Sequence, residues 1–154
     1  MDERTDWQST VPANVDPKVR ALYEYWDAKR GDAPYPSRAD LDPLEIPKLI
    51  EHLSLVEVRT TDPRFVYRLV GTSVARALRH DPTGKPVGEN ARPKERNAVL
   101  ARYSFVADHG RLIYHSSVLQ EKTNDFTTVQ RLMLPLGPPS GPPNMILSLV
   151  ITTD

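Results

Sequence analysis

At 154 residues, with 39% apolar and 26% charged side chains, the chain can bury one hydrophobic core but not two. Its 20 basic and 20 acidic residues cancel, which leaves no electrostatic footprint for nucleic acid and no polybasic handle for anionic lipid. The absence of cysteine excludes disulfides, thiolate metal sites, cysteine nucleophiles and cysteinyl cofactor adducts.

The opening MDERTDWQST has no basic segment followed by an apolar run, so no secretory signal is read there. No apolar stretch approaches the ~20 residues that cross a bilayer. A soluble, cytoplasmic protein without a membrane partner is expected. Residues 1–15 are polar, carry Pro12, and are expected to be a flexible arm. Residues 16–52 should hold an N-terminal helix and a short second helix, and residues 53–154 the core of the domain.

Asp16-Pro17 pairs an N-cap with proline at the first helical position. Val19, Leu22, Tyr23 and Trp26 follow at the spacing of one helical face, and Gly31 offers a left-handed stop. A helix over 17–30 is predicted. DPLEIPKLIEHL should start a short helix at Asp42-Pro43 that Pro47 distorts. LSLVEV (53–58) and FVYRLVG (65–71) read as a hairpin, with Phe65, Tyr67 and Leu69 on one face. Thr72 or Ser73 should cap the helix TSVARALR, and Asp81-Pro82-Thr83-Gly84 ends it in a turn. PKERNAVLARYSFVADHG is a longer helix closed by Gly110. Three strands finish the chain at 111–119, 126–136 and 144–152, with loops at Thr123-Asn124-Asp125 and 137–143.

Neither the first two strands nor the last three can bury both faces alone. The predicted fold is therefore α+β. It has one five-stranded antiparallel sheet with the central helices on one face, and an N-terminal flanking helix that covers the other face or meets another chain.

Four stretches in this order are similar to one known family: LYEYWDAKRGDAPYPSRADLDPLEIPKLIEHLSLVEV (22–58), RFVYRLVGTSV (64–74), DPTGKPV (81–87) and RLMLPLG (131–137). The chain resembles the PAS domains, in the alphaproteobacterial subgroup once classed as a domain of unknown function. The resemblance covers roughly residues 17–152. It implies a sensory and protein-interaction module of bacterial signal transduction, with the 93–110 helix lying over a cavity. It also sets conditions that the chain does not meet. A flavin photosensor of this fold needs a cysteine near the small helices, and there is none. Haem-binding members use a histidine of the long helix, and His109 stands at that helix's end. No cofactor is therefore expected. No kinase, cyclase or helix-turn-helix segment follows Asp154, so a stand-alone domain acting through a protein partner is expected. The resemblance also implies a homodimer.

His52, His80, His109 and His115 lack H-x-x-H or H-E-x-x-H spacing, and no metal site is read from them. His115 is mid-strand and the best placed for ligand contact; its plainer reading faces solvent opposite Tyr114. Asp40 and Asp42 serve turn and cap. Thr83-Gly84-Lys85 lacks the remainder of a phosphate loop, and Ser116-Ser117 lack a nucleophile elbow. No catalytic residue is assigned. Tyr67, Tyr103 and Tyr114, with Gln130, either line a ligand cavity or fill the core with satisfied hydroxyls. Leu22 and Trp26 pack on the chain's own sheet, form a dimer seam, or do both. The principal reading is a sensory module binding a small ligand. Its rivals are a cone-shaped α+β enzyme, marked by a buried His–Asp pair, and a ligand-free adaptor, marked by a filled interior and an exposed apolar patch.

Overall fold

The computed structural model describes residues 7–120 and 126–153. Helix α1 spans Pro17–Arg30, as the spacing predicts; the Asp16 carboxylate accepts the Lys18 amide at 2.8 Å and caps it. Gly31 ends it with φ of 56°. The predicted second helix is absent as an α-helix. Pro43–Glu45 and Ile50–His52 form separate 3-10 turns, because Pro47 between them removes a donor and crowds the preceding turn. Asp42 still caps the first of these turns through the Leu44 amide at 3.0 Å.

The strands are β1 (Trp7–Gln8), β2 (Leu53–Val58), β3 (Phe65–Val70), β4 (Ile113–Gln120), β5 (Phe126–Leu136) and β6 (Met145–Thr153). Helix α2 (Thr72–Leu78) comes after β3, and α3 (Pro93–His109) precedes β4. All pairings are antiparallel, in the order β1-β4-β5-β6-β2-β3. The last five strands form the predicted sheet. The sixth, β1, comes from the segment expected to be a free arm: Trp7 pairs with His115, and Gln8 with Tyr114. Trp7 also packs against Phe105 of α3, with ring centroids 5.6 Å apart. The hairpin loop predicted at Thr123-Asn124-Asp125 lies outside the described residues.

Both faces of the sheet are covered. On one, Val19, Leu22 and Trp26 of α1 meet Leu132, Leu134 and Leu136 of β5 and Leu147 and Leu149 of β6. On the other, Tyr103, Val106 and Ala107 of α3 meet Val56, Phe65, Ile113, Met133 and Ile146. The edges are occupied as well. β1 lies along β4, and the turn after α2 returns to β3: the Tyr67 amide donates to Lys85, and the Gly84 and Val87 amides donate to Tyr67 and Phe65.

Two local features, at β3 and at the start of α2, differ from the prediction. The β2–β3 register shifts between Leu55 and Val56, so Leu55 opposes Leu69 while Val56 opposes Tyr67. Arg68 is the extra residue of a bulge. Phe65 and Tyr67 therefore face α3, whereas Leu69 turns to the α1 side and is 54% exposed. Helix α2 starts from Gly71, with no side-chain cap from Thr72 or Ser73. Ser73 instead bonds Glu51, and the Gly71 amide donates to Leu53 at 2.7 Å.

Candidate functional site

Alternation along β5 sends Val129, Arg131 and Met133 to the α3 side and Gln130, Leu132 and Leu134 to the α1 side. Ser54 of β2 and Ser148 of β6 are cross-strand partners, and Ser148 also opposes Met133. Both serines therefore look toward α3. Above them α2 and α3 do not close on the sheet. A cavity of about 610 Å³ remains, floored by Ser54, Tyr67, Arg131 and Ser148 and roofed by residues of α2 and by Val99 and Tyr103 of α3. That volume lies within the usual range for small-molecule pockets.

Among the described polar groups at the floor, one is buried without a hydrogen bond. The Tyr103 phenol is held above its ordinary value by burial, an effect that the nearby Ser148 and Ser54 hydroxyls and the Arg102 and Arg131 charges oppose. Ser148 Oγ is buried, yet it makes no hydrogen bond of acceptable geometry. Burial, with Tyr103 next to it, pushes the Tyr67 phenol well above its ordinary value. Arg131 is half-buried, and its guanidinium is pushed down by burial and by neighbouring Arg102. It meets His115 Nδ1 at 3.2 Å. A guanidinium has only donors, so Nδ1 accepts and the imidazole is neutral in this contact. The lining's one carboxylate among the described residues is Asp16, which caps α1 and forms no ion pair with Arg131.

The four residues predicted as ligand contacts divide into two pairs. Tyr67 and Tyr103 line the cavity. Tyr114 and Gln130 do not reach it, because they lie on the opposite face, beneath α1. There Gln130 Oε1 accepts from both the Tyr114 hydroxyl and the Asp16 amide, each at 3.1 Å, and so pins the start of α1. Of the two roles expected for Leu22 and Trp26, the structure shows the packing on the chain's own sheet. Both are buried within the chain, and the Trp26 indole donates to the Pro135 carbonyl at 3.0 Å. His115 is buried rather than solvent-facing, on the side away from Tyr114. Ser54, Ser148 and Arg131 went unnoticed in the sequence. A signal did exist for Arg131: it is the only charge in FTTVQRLMLPL, and it alternates with the apolar Val129 and Met133.

A second cavity of about 310 Å³ lies on the α1 side beside β3, walled by Leu41, Ile46, Leu55, Leu69 and Leu147. Its side-chain donors among the described residues are Arg38, which bonds the Leu41 carbonyl at 3.0 Å, and Ser54. Among the described residues no cluster of three or more metal-ligating side chains occurs, and no helix is long and apolar enough to cross a membrane.

A family model described as PAS domain matches residues 15–151. Comparison with curated proteins returns no match. Among solved structures, a light-oxygen-voltage domain studied with a flavin analogue superimposes with a TM-score of 0.52 at 8% identity, covering 72% of this chain and 83% of the other. A Rhodobacter sphaeroides LOV protein reaches a TM-score of 0.48 at 15% identity, over 73% of this chain and 68% of its own. The first of these superpositions shows a likeness of fold alone. It also corrects one expectation. Lack of cysteine was read as leaving no cofactor, but it removes only the covalent adduct, and a structure sharing this fold is one studied with a flavin analogue.

Proposed function

Because the chain belongs to the PAS domain family, a sensory fold used in signal transduction, we propose that it senses a small molecule held in the cavity between the sheet and helices α2 and α3. The observation that carries this reading is the 610 Å³ space itself, floored by hydroxyls and a guanidinium in place of a packed core. A filled interior would have favoured an adaptor, and a buried His–Asp pair an enzyme. Neither feature is present among the described residues that line this space.

Helix α2 is the movable wall. It buries none of its residues, so it has little packing to lose when an occupant presses on it. Occupancy redistributes the domain between arrangements of this wall, and a second chain reads the result. In this proposal the module acts within bacterial signalling, in the cytoplasm and as a homodimer, and is assigned no catalytic step. The resemblance to the alphaproteobacterial subgroup supports that setting.

A flavin is one candidate occupant. Arg131, Tyr67 and Ser54 would donate to its ring carbonyls, and Val74, Val99 and Val150 would flank its apolar body. When bound it would supply light absorption or redox chemistry, held without a covalent link.

Native mass spectrometry of the purified protein tests the reading. A non-covalent mass above that of the bare chain, and its release on denaturation, are expected. A bare chain, together with no melting-temperature response to any compound of a metabolite library, would sink the sensor reading; a monomer would remove the homodimer.

A further inference from the structure

We propose that the cavity's occupant is a small organic carboxylate with an apolar body, its carboxylate received by Arg131 and the hydroxyls of Ser148 and Ser54. This inference rests on the cavity reading above and names the chemistry of its ligand.

Three observations converge on it. First, Arg131 projects from the middle of β5 into the cavity, and its one hydrogen-bonded contact among the described residues, His115, is neutral. A guanidinium removed from water without an anion is costly, and among the described residues no carboxylate pairs with it. Among the described residues Asp16 is the only acid in the lining, and it is committed to the α1 cap. Second, Ser148 Oγ is buried and has no partner of acceptable geometry, in a residue only 4% exposed. A buried hydroxyl left unmatched calls for an acceptor. Third, a carboxylate supplies acceptor sites for guanidinium and hydroxyl together, and it adds the missing negative charge. The size and the remaining walls then choose within the anions. An inorganic anion would leave most of 610 Å³ unfilled, against Val74, Leu78, Val99, Met133 and Val150. Those side chains suit an aliphatic or aromatic tail.

The test uses the full chain and matched pairs: phenylacetate against phenylacetamide, octanoate against octanamide, with inorganic phosphate as a third arm. Binding is read by calorimetry and by melting temperature. Carboxylates should bind at least about tenfold more tightly than their amides, as expected for a charge-assisted bidentate contact. Arg131→Gln should abolish the preference for carboxylate over amide, bringing the affinities of each pair together. Ser148→Ala should weaken the carboxylates by about tenfold, the loss of one hydrogen bond to a charged group. Circular dichroism checks that each variant folds; if Arg131→Gln does not, the wild-type carboxylate–amide pairs and Ser148→Ala decide alone. Equal affinity for acid and amide overturns the inference but leaves the sensor reading standing. So does binding of phosphate alone, or recovery of a flavin from the purified protein. Failure of every probe, charged and neutral, with no bound mass in the native spectrum, overturns both.

Discussion

A methyl group added at Gly71 would run into the backbone carbonyls of Ile50 and Glu51, well inside contact distance. Backbone cannot rotate aside as a side chain can, so Gly71→Ala must push α2 away from the 3-10 turn at Ile50–His52. We expect a loss of about 1–3 kcal/mol, the usual cost of overpacking, measured by urea unfolding; an unchanged midpoint would count against this close approach. The two cavity phenols give a second expectation. Tyr67 and Tyr103 both stand above the ordinary value of 10.0 in the folded chain, so the unfolded chain loses its phenolic protons first. The stability they contribute is complete below that value and falls away as pH rises above it. Unfolding midpoints should therefore hold up to about pH 10 and drop continuously as pH rises beyond it, and Tyr67→Phe should flatten the drop. A parallel decline in the variant would refute the assignment. Tyr67 and Tyr103 were legible in the sequence because strand alternation and helical spacing point each of them at the core. Tyr114 and Gln130 were not, because both faces of this sheet are buried. Without a polar face, parity tells which residues lie together but not which helix they meet.

Among the elements, α1 was the most legible and had its role least well read. Its cap, its apolar stripe and its glycine stop are all local, and the helix occupies the predicted residues. What its stripe meets is not local. Trp26 reaches Pro135, more than a hundred positions along the chain, and no periodicity reveals that. Trp26→Ala should cost about 3–5 kcal/mol, read by denaturant unfolding, with no change in oligomeric state. A selective loss of dimer with stability intact would return Trp26 to an interface. Gln130→Ala should strip the Asp16 amide and the Tyr114 hydroxyl of their shared acceptor. Amide exchange should then quicken over the first turn of α1, ahead of the rest of the helix. The β3 bulge was hidden for a related reason. FVYRLV alternates cleanly by itself, and only pairing with β2 reveals that Arg68 has no opposite number.

For the whole molecule, the sequence conveyed the class and the strand succession because the segments are short and strongly punctuated. It could not convey the cavity. A cavity is a difference between two nearly equal volumes, the space that α2 and α3 span and the side chains available to fill it. Neither volume is written in a pattern of apolar and polar letters. β1 was missed on similar grounds: two residues in a polar, proline-bearing segment carry no strand period, and Trp7 is held there by Phe105 and by the β4 edge it meets. That short strand has a consequence for how copies of the chain can meet. Trp7 and Gln8 sit on the outer rim of β4 at His115 and Tyr114, and residues 84–87 sit on the outer rim of β3. A foreign strand cannot pair at those positions, so growth of a shared backbone ladder, the route by which sheet proteins run on into fibres, is blocked at the start of β4 and along residues 65–67 of β3.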